Sequence, residues 1–241
     1  KAKANKKDSK QQPQVAETKL SKYIHNYLVT QPRTVIESMV KAAQAKFMTK
    51  QKGIARQALK AMVIDKSTPV EGNRKGNTTI IEYFDYQCSA CKEEWPQLKA
   101  ALKNNKDLKV IFAEYPFFPG SEYAAKVSIA GYALDQKKFV KLHSGLMELT
   151  TAEGQLKPAK IMQIATAAGY TKAQLDKYMT QNASVIKAEL AKNSSWFEKM
   201  KFQGTPAIII ASSTNKNIVI IPGAPRNLQS VIDSVKNKAQ A

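Results

Sequence analysis

One stretch constrains this chain more than any other: residues 78–91, reading Thr-Thr-Ile-Ile-Glu-Tyr-Phe-Asp-Tyr-Gln-Cys-Ser-Ala-Cys. Its first half, Thr78 to Phe84, is a β-branched and apolar run that predicts a strand. A short polar turn follows, then a Cys-x-x-Cys, and residues 92–102 have helical composition. The two thiols therefore fall where a strand hands over to a helix N-terminus. Unpaired amide N–H groups and the positive end of the helix dipole favour a thiolate there. A lowered pKa would make Cys88 the nucleophile and the better leaving group, with Cys91, further into the helix, resolving a mixed disulfide.

Cys88 and Cys91 are the only cysteines, which limits the alternatives. A structural zinc needs four ligands, and His25 and His143 lie far from the pair with no ligand spacing, so no metal site is expected. A structural disulfide closing so small a loop would constrain the unfolded chain very little. Redox chemistry is the preferred reading. Its rival is a non-catalytic surface or adaptor protein whose cysteines serve only packing and are buried and inert.

The strand, the Glu-Tyr-Phe-Asp-Tyr-Gln run, the Cys-x-x-Cys and the helix together resemble the thioredoxin-fold thiol–disulfide oxidoreductases, specifically the DsbA-like branch. That branch carries a glutamate in the aromatic-rich run before the cysteines, here Glu82. A second motif strengthens the resemblance: Gly204-Thr205-Pro206-Ala207 precedes Ile208-Ile209-Ile210, similar to the cis-proline strand of this superfamily. The likeness covers residues 77 to the C-terminus. It implies an α/β thioredoxin fold, no cofactor, and a Pro206 in cis that presents the Thr205 backbone to an extended substrate. It also implies that Ser89 and Ala90 form the active-site turn and tune the thiolate. The histidine of the most oxidising members is missing there, so a less extreme potential is expected. Glu82 is a candidate buried acid moving a proton to or from Cys91; the plain alternative is a strand-end glutamate facing solvent.

At 241 residues the chain can hold one large domain, or one domain and a small one. Its apolar runs are too short to span a bilayer. No signal peptide is visible at the start, so a mature or trimmed form is expected. The net charge of +19 is concentrated early, with 17 Lys and Arg against 5 Asp and Glu in residues 1–78. No nucleic-acid motif accompanies it, so a solvated face attracted to anionic surfaces is expected, with no nucleic-acid partner.

Residues 1–14 read as a disordered basic tail. Over 15–64 the pattern is helical: Val15, Leu20, Ile24, Tyr27 and Leu28 make one stripe, and Pro32 opens a second with Val35, Ile36, Met39, Val40, Ala43 and Phe47, extendable through Ile54, Leu59, Met62 and Val63. Such a region cannot bury its stripe alone. Another chain is the expected partner, which resembles DsbA-like relatives dimerising through N-terminal helices. Residues 65–76 read as a linker or a turn-flanked strand. Residues 77–241 form the catalytic domain: a second core strand at 108–114, a loop of aromatics at 115–118 that lines a substrate groove or caps the core, a helical insertion over about 121–203, strands at 207–211 and 218–221, and a closing helix at 226–238.

The expected protein is a homodimeric, bacterial periplasmic enzyme that forms, and can isomerise, disulfides in secreted proteins. The insertion resembles an oxidase of the DsbA type, and the N-terminal helices with Thr205-Pro206 resemble an isomerase of the DsbC type. Unfolded or misoxidised clients and a redox-recycling membrane partner would complete the cycle.

Overall fold

Five strands form one mixed sheet in the order β1-β3-β2-β4-β5. In this computed structural model, residues 19–64 and 67–237 are described. The tail expected over 1–14 lies outside them, as do Val15 and residues 65–66. The central strand β2 (Thr78–Phe84) runs parallel to β3 (Leu108–Glu114) and antiparallel to β4 (Ala207–Ser212); β1 (Val70–Gly72) and β5 (Ile218–Ile221) complete the edges. Every residue of β2 is buried, as expected of a strand covered on both faces.

Strand alternation divides the core in two. Ile80 and Phe84 join Val110, Phe112, Ile208 and Ile210 on one face, packed against α3 (Ser89–Asn104), the C-terminal helix α9 (Leu228–Asn237) and the inserted helices. Ile81, Tyr83, Ile111 and Ile209 take the other face with Phe197, Met200 and Phe202. The insertion comprises α4 (Ser121–Leu134), α5 (Gln136–Met147), α6 (Pro158–Ala167), α7 (Lys172–Gln181) and α8 (Ala183–Lys199), lying between β3 and β4. Gly154 and Gly169 adopt positive φ between its helices, and Thr171 caps α7 through a capping box with Gln174.

The N-terminal part differs from the expected borders. The chain divides into units of residues 1–49 and 50–241, and the division falls inside the long helix α2 (Pro32–Ile64). Beyond it, Ala55, Ala58 and Met62 are fully buried against the second sheet face. The later part of the stripe thus serves the catalytic unit; small residues let the helix approach the sheet. The segment read as a linker or a turn-flanked strand contains β1, paired with β3 through Val70 opposite Ile111. In the first unit, α1 (Lys19–Thr30) has no buried residue, and Leu20, Tyr23, Ile36, Met39 and Phe47 are exposed.

No helix among the described residues is long and apolar enough to cross a membrane.

Candidate active site

Strand β2 ends at Phe84, and the next four residues form a tightly held turn. Asp85, buried, is its anchor. Its Oδ1 accepts from the Gln87 amide at 2.7 Å and the Ser121 hydroxyl at 2.5 Å, and its Oδ2 accepts from the amides of Phe117 at 2.6 Å and Phe118 at 2.9 Å. Gln87 extends the anchor, donating to the Pro119 carbonyl at 2.7 Å and accepting from the Leu156 amide at 2.9 Å. These bonds fix the turn against the loop after β3 and the start of the insertion.

Cys88 is the N-cap of α3, with extended backbone (φ −65°, ψ 119°) and no side-chain cap bond. Its Sγ lies 3.2 Å from the Thr205 carbonyl. The Thr205–Pro206 bond is cis, and β4 begins at the next residue. The Cys88 thiol is pulled down to about 6, first by a hydrogen bond from the Cys91 thiol, then by the Thr205 side chain and the amides of Cys91 and Ala90, against the opposing effect of burial. Cys91 is fully buried and pushed far up by desolvation, by its bond to Cys88 and by the nearby Glu82. One thiol is activated and the other is held protonated. An inert packing pair has no such asymmetry.

Ser89 and Ala90 open α3. The Ser89 amide and hydroxyl both donate to Glu153 Oε1 at 3.0 Å, so a carboxylate from the loop after α5 sits at the helix N-terminus, its pKa lowered by those bonds. Lys92 donates to the Leu149 carbonyl at 2.7 Å. Between this loop and α3 lies a cavity of about 430 Å³ lined by Gln87, Ser89, Lys92, Met147 and Glu153. The aromatic loop splits between its two expected roles: Tyr115 stacks on Phe197 at 3.8 Å, while Phe117 is 66% exposed.

Glu82 is fully buried in β2, opposite Phe112 and Ile208, so the solvent-facing alternative is excluded. Burial, then the nearby Glu94, then Cys88 raise its pKa well above the carboxylate range. Sequence reasoning did not single out Glu94. The signal was present: it lies three residues after Cys91 on the α3 stripe of Cys91, Trp95 and Leu98, all buried. Nor did it assign Asp85 or Gln87, which bond each other but whose remaining side-chain partners lie more than 30 residues away. His143, given no role from sequence, is buried with Nδ1 2.9 Å from the Tyr86 hydroxyl; Tyr86 donates to Ser128, and Ser128 to Glu114.

A family model described as thioredoxin matches residues 64–234. The chain belongs to the thioredoxin family. It is 26% identical over 159 residues to disulfide bond formation protein D of Bacillus subtilis, covering 63% of this chain and 71% of that protein. The catalytic domain of ScsC from Proteus mirabilis superposes with a TM-score of 0.66 at 25% identity, over 78% of this chain and 99% of that one. The thiol–disulfide exchange protein alpha-DsbA2 of Wolbachia pipientis superposes with a TM-score of 0.69 at 22% identity, over 80% of this chain and 97% of that one, a likeness of fold. This thioredoxin-fold chain is a thiol–disulfide oxidoreductase.

Proposed function

We propose that the protein is a periplasmic, homodimeric oxidoreductase that introduces disulfides into secreted proteins and rearranges wrong ones. The observation that carries this reading is the asymmetry of the two thiols, Cys88 lowered to about 6 and Cys91 raised and fully buried. A substrate thiolate attacks the Cys88 sulfur of the oxidised pair; Cys91 leaves, and a second substrate thiolate then releases Cys88. A low Cys88 pKa stabilises the reduced enzyme and so makes the disulfide a better oxidant. Glu82 gives a proton to Cys91 as it leaves and takes it back in the reverse direction. Thr205, beside Cys88 and before the cis Pro206, offers backbone groups to an extended substrate segment.

The homodimer is assigned to residues 15–64, within which the apolar side chains Leu20, Tyr23, Ile36, Met39 and Phe47 are exposed. Two cysteine pairs in one assembly would allow shuffling as well as oxidation. Substrates are unfolded or misoxidised secreted proteins, and a membrane partner reoxidises the pair.

The test is the reduction potential of Cys88–Cys91, with molecular mass by light scattering on the same sample. The expected outcome is a potential well above that of reducing thioredoxins, which lie at about −270 mV, and a dimer mass. A thioredoxin-like value removes the oxidase role, and a monomer removes the assignment of residues 15–64.

A further inference from the structure

Two carboxyls meet beneath the cysteines with no cation among the described residues to compensate them. Alternation along β2 places Glu82 on the face shared by Ile80 and Phe84, which packs against α3. The helical period of α3 places Glu94, one turn past Cys91, on the stripe turned to that same face. Both side chains are fully buried, and among the described residues their oxygens find no hydrogen-bond partner beyond each other. A buried, unsatisfied carboxyl is rare and costly, and two side by side need a reason.

The groups facing this pair come from three elements. Cys88 and Cys91 face Glu82 from the start of α3, Tyr86 from the turn after β2, and His143 of α5 packs its neutral ring on Trp95 at 4.6 Å. No lysine or arginine acts on either carboxyl. The one lysine close in sequence, Lys92, is engaged at Leu149. Two adjacent carboxylates in a low-dielectric site cannot both ionise at neutral pH, so the pair holds a proton in common and titrates as a unit.

We propose that Glu82 and Glu94 form one proton-holding unit serving Cys91, with Glu94 setting when Glu82 gives up its proton. This rests on the exchange reaction proposed above. A substrate thiolate attacks Cys88 Sγ; the Cys88–Cys91 bond breaks as the substrate–Cys88 bond forms. The departing Cys91 sulfur takes the electron pair and the proton from Glu82. A second substrate thiolate attacks the substrate sulfur of the mixed disulfide, forming the substrate disulfide and releasing Cys88 as a thiolate. Two electrons have passed from two substrate thiolates to the enzyme pair. Glu82 takes up a proton, ultimately from solvent, before the next cycle. In reverse, the Cys91 thiol hands its proton to the pair as it attacks Cys88. Glu94 is a positioning residue: it acts through Glu82, because its charge opposes ionisation of its neighbour.

Stopped-flow rates of mixed-disulfide resolution by Cys91, followed against pH with a small disulfide as probe, decide the matter. Wild type should show an inflection above the ordinary carboxylate range, set by the buried pair titrating as a unit. Glu94→Gln should move that inflection to lower pH, since Glu82 no longer feels a neighbouring charge, and Glu94→Asp should retain it. Glu82→Gln should slow resolution by about 10²-fold, and the double glutamine variant should be no slower than Glu82→Gln. An unmoved inflection in Glu94→Gln, or losses that multiply in the double variant, overturns the shared unit. A wild type that forms no mixed disulfide at Cys88 overturns the exchange reaction itself, a separate result read in the same trace. Should Glu82→Gln fail to fold, the shift in Glu94→Gln alone decides.

Discussion

At the residue scale, the chemistry turns on unequal treatment of two identical side chains three positions apart. Cys88 sits at a helix N-cap, where amides converge on it; Cys91 is one turn inside, surrounded by Trp95, Leu98 and a buried acid. The hydrogen bond between them serves both ends, stabilising the Cys88 thiolate and the Cys91 thiol. Thiolate absorbance of the reduced protein should therefore titrate with a midpoint near pH 6. Replacing Cys91 by Ala removes the largest contribution and should raise the midpoint by about one unit, since hydrogen bonds to charged groups are worth about 1.5–3 kcal/mol. An unchanged midpoint would assign the activation to the helix end and Thr205 instead.

At the element scale, the β2–α3 turn is held from outside itself. Four donors converge on Asp85, three of them from residues 117, 118 and 121 beyond β3. Asp85→Asn would turn an NH2 group toward N–H or O–H donors and leave at least one bond unmade. A loss of about 2–3 kcal/mol is expected, read as a lower urea midpoint with an unchanged slope. A loss below about 0.5 kcal/mol would mean that the turn holds its shape without this anchor. Helix α2 teaches a related lesson. Its apolar stripe is continuous in sequence, yet only its later part, with Ala55, Ala58 and Met62, is covered within the catalytic unit.

At the scale of the whole molecule, buried titratable groups make stability depend on pH in two opposing windows. His143 is held neutral by burial, its pKa lowered to about 3 from 6.5. The unfolded chain binds this proton first, so stability falls as pH drops from about 6.5 toward 3. Glu114 is the reverse case, raised to about 8 from 4.5 by burial. Its protonated form is favoured in the fold, so its contribution is complete below pH 4.5 and is lost as pH rises through 8. Glu94, raised to about 7, adds to the same limb. Glu114→Gln keeps an acceptor for Ser128 and cannot ionise. Its stability relative to wild type, followed by thermal melts, should therefore climb between pH 5 and pH 8, by an amount on the order of 2 kcal/mol or more. A difference flat with pH would show that Glu114 titrates in the fold as it does in the unfolded chain.

What the sequence determined by itself was the local grammar and one face of the site. The run at 78–84 reads as a buried strand because β-branched residues suit nothing else there, and Cys88–Cys91 falls at the helix start because the strand must end first. The inserted helices are legible from glycine, proline and capping residues, whose preferences act over a few neighbours. The thiol pair and Gly-Thr-Pro are recognisable as separate motifs. Only the tertiary structure decided which distant groups meet. It brought Thr205 to 3.2 Å from Cys88, set Glu94 beside Glu82, aimed the 117–121 amides and hydroxyl at Asp85, and divided the stripe of α2 between two units. Those outcomes depend on how faces of separate elements pack, and burial, which shifts each pKa here, is a property of that packing and not of any residue alone.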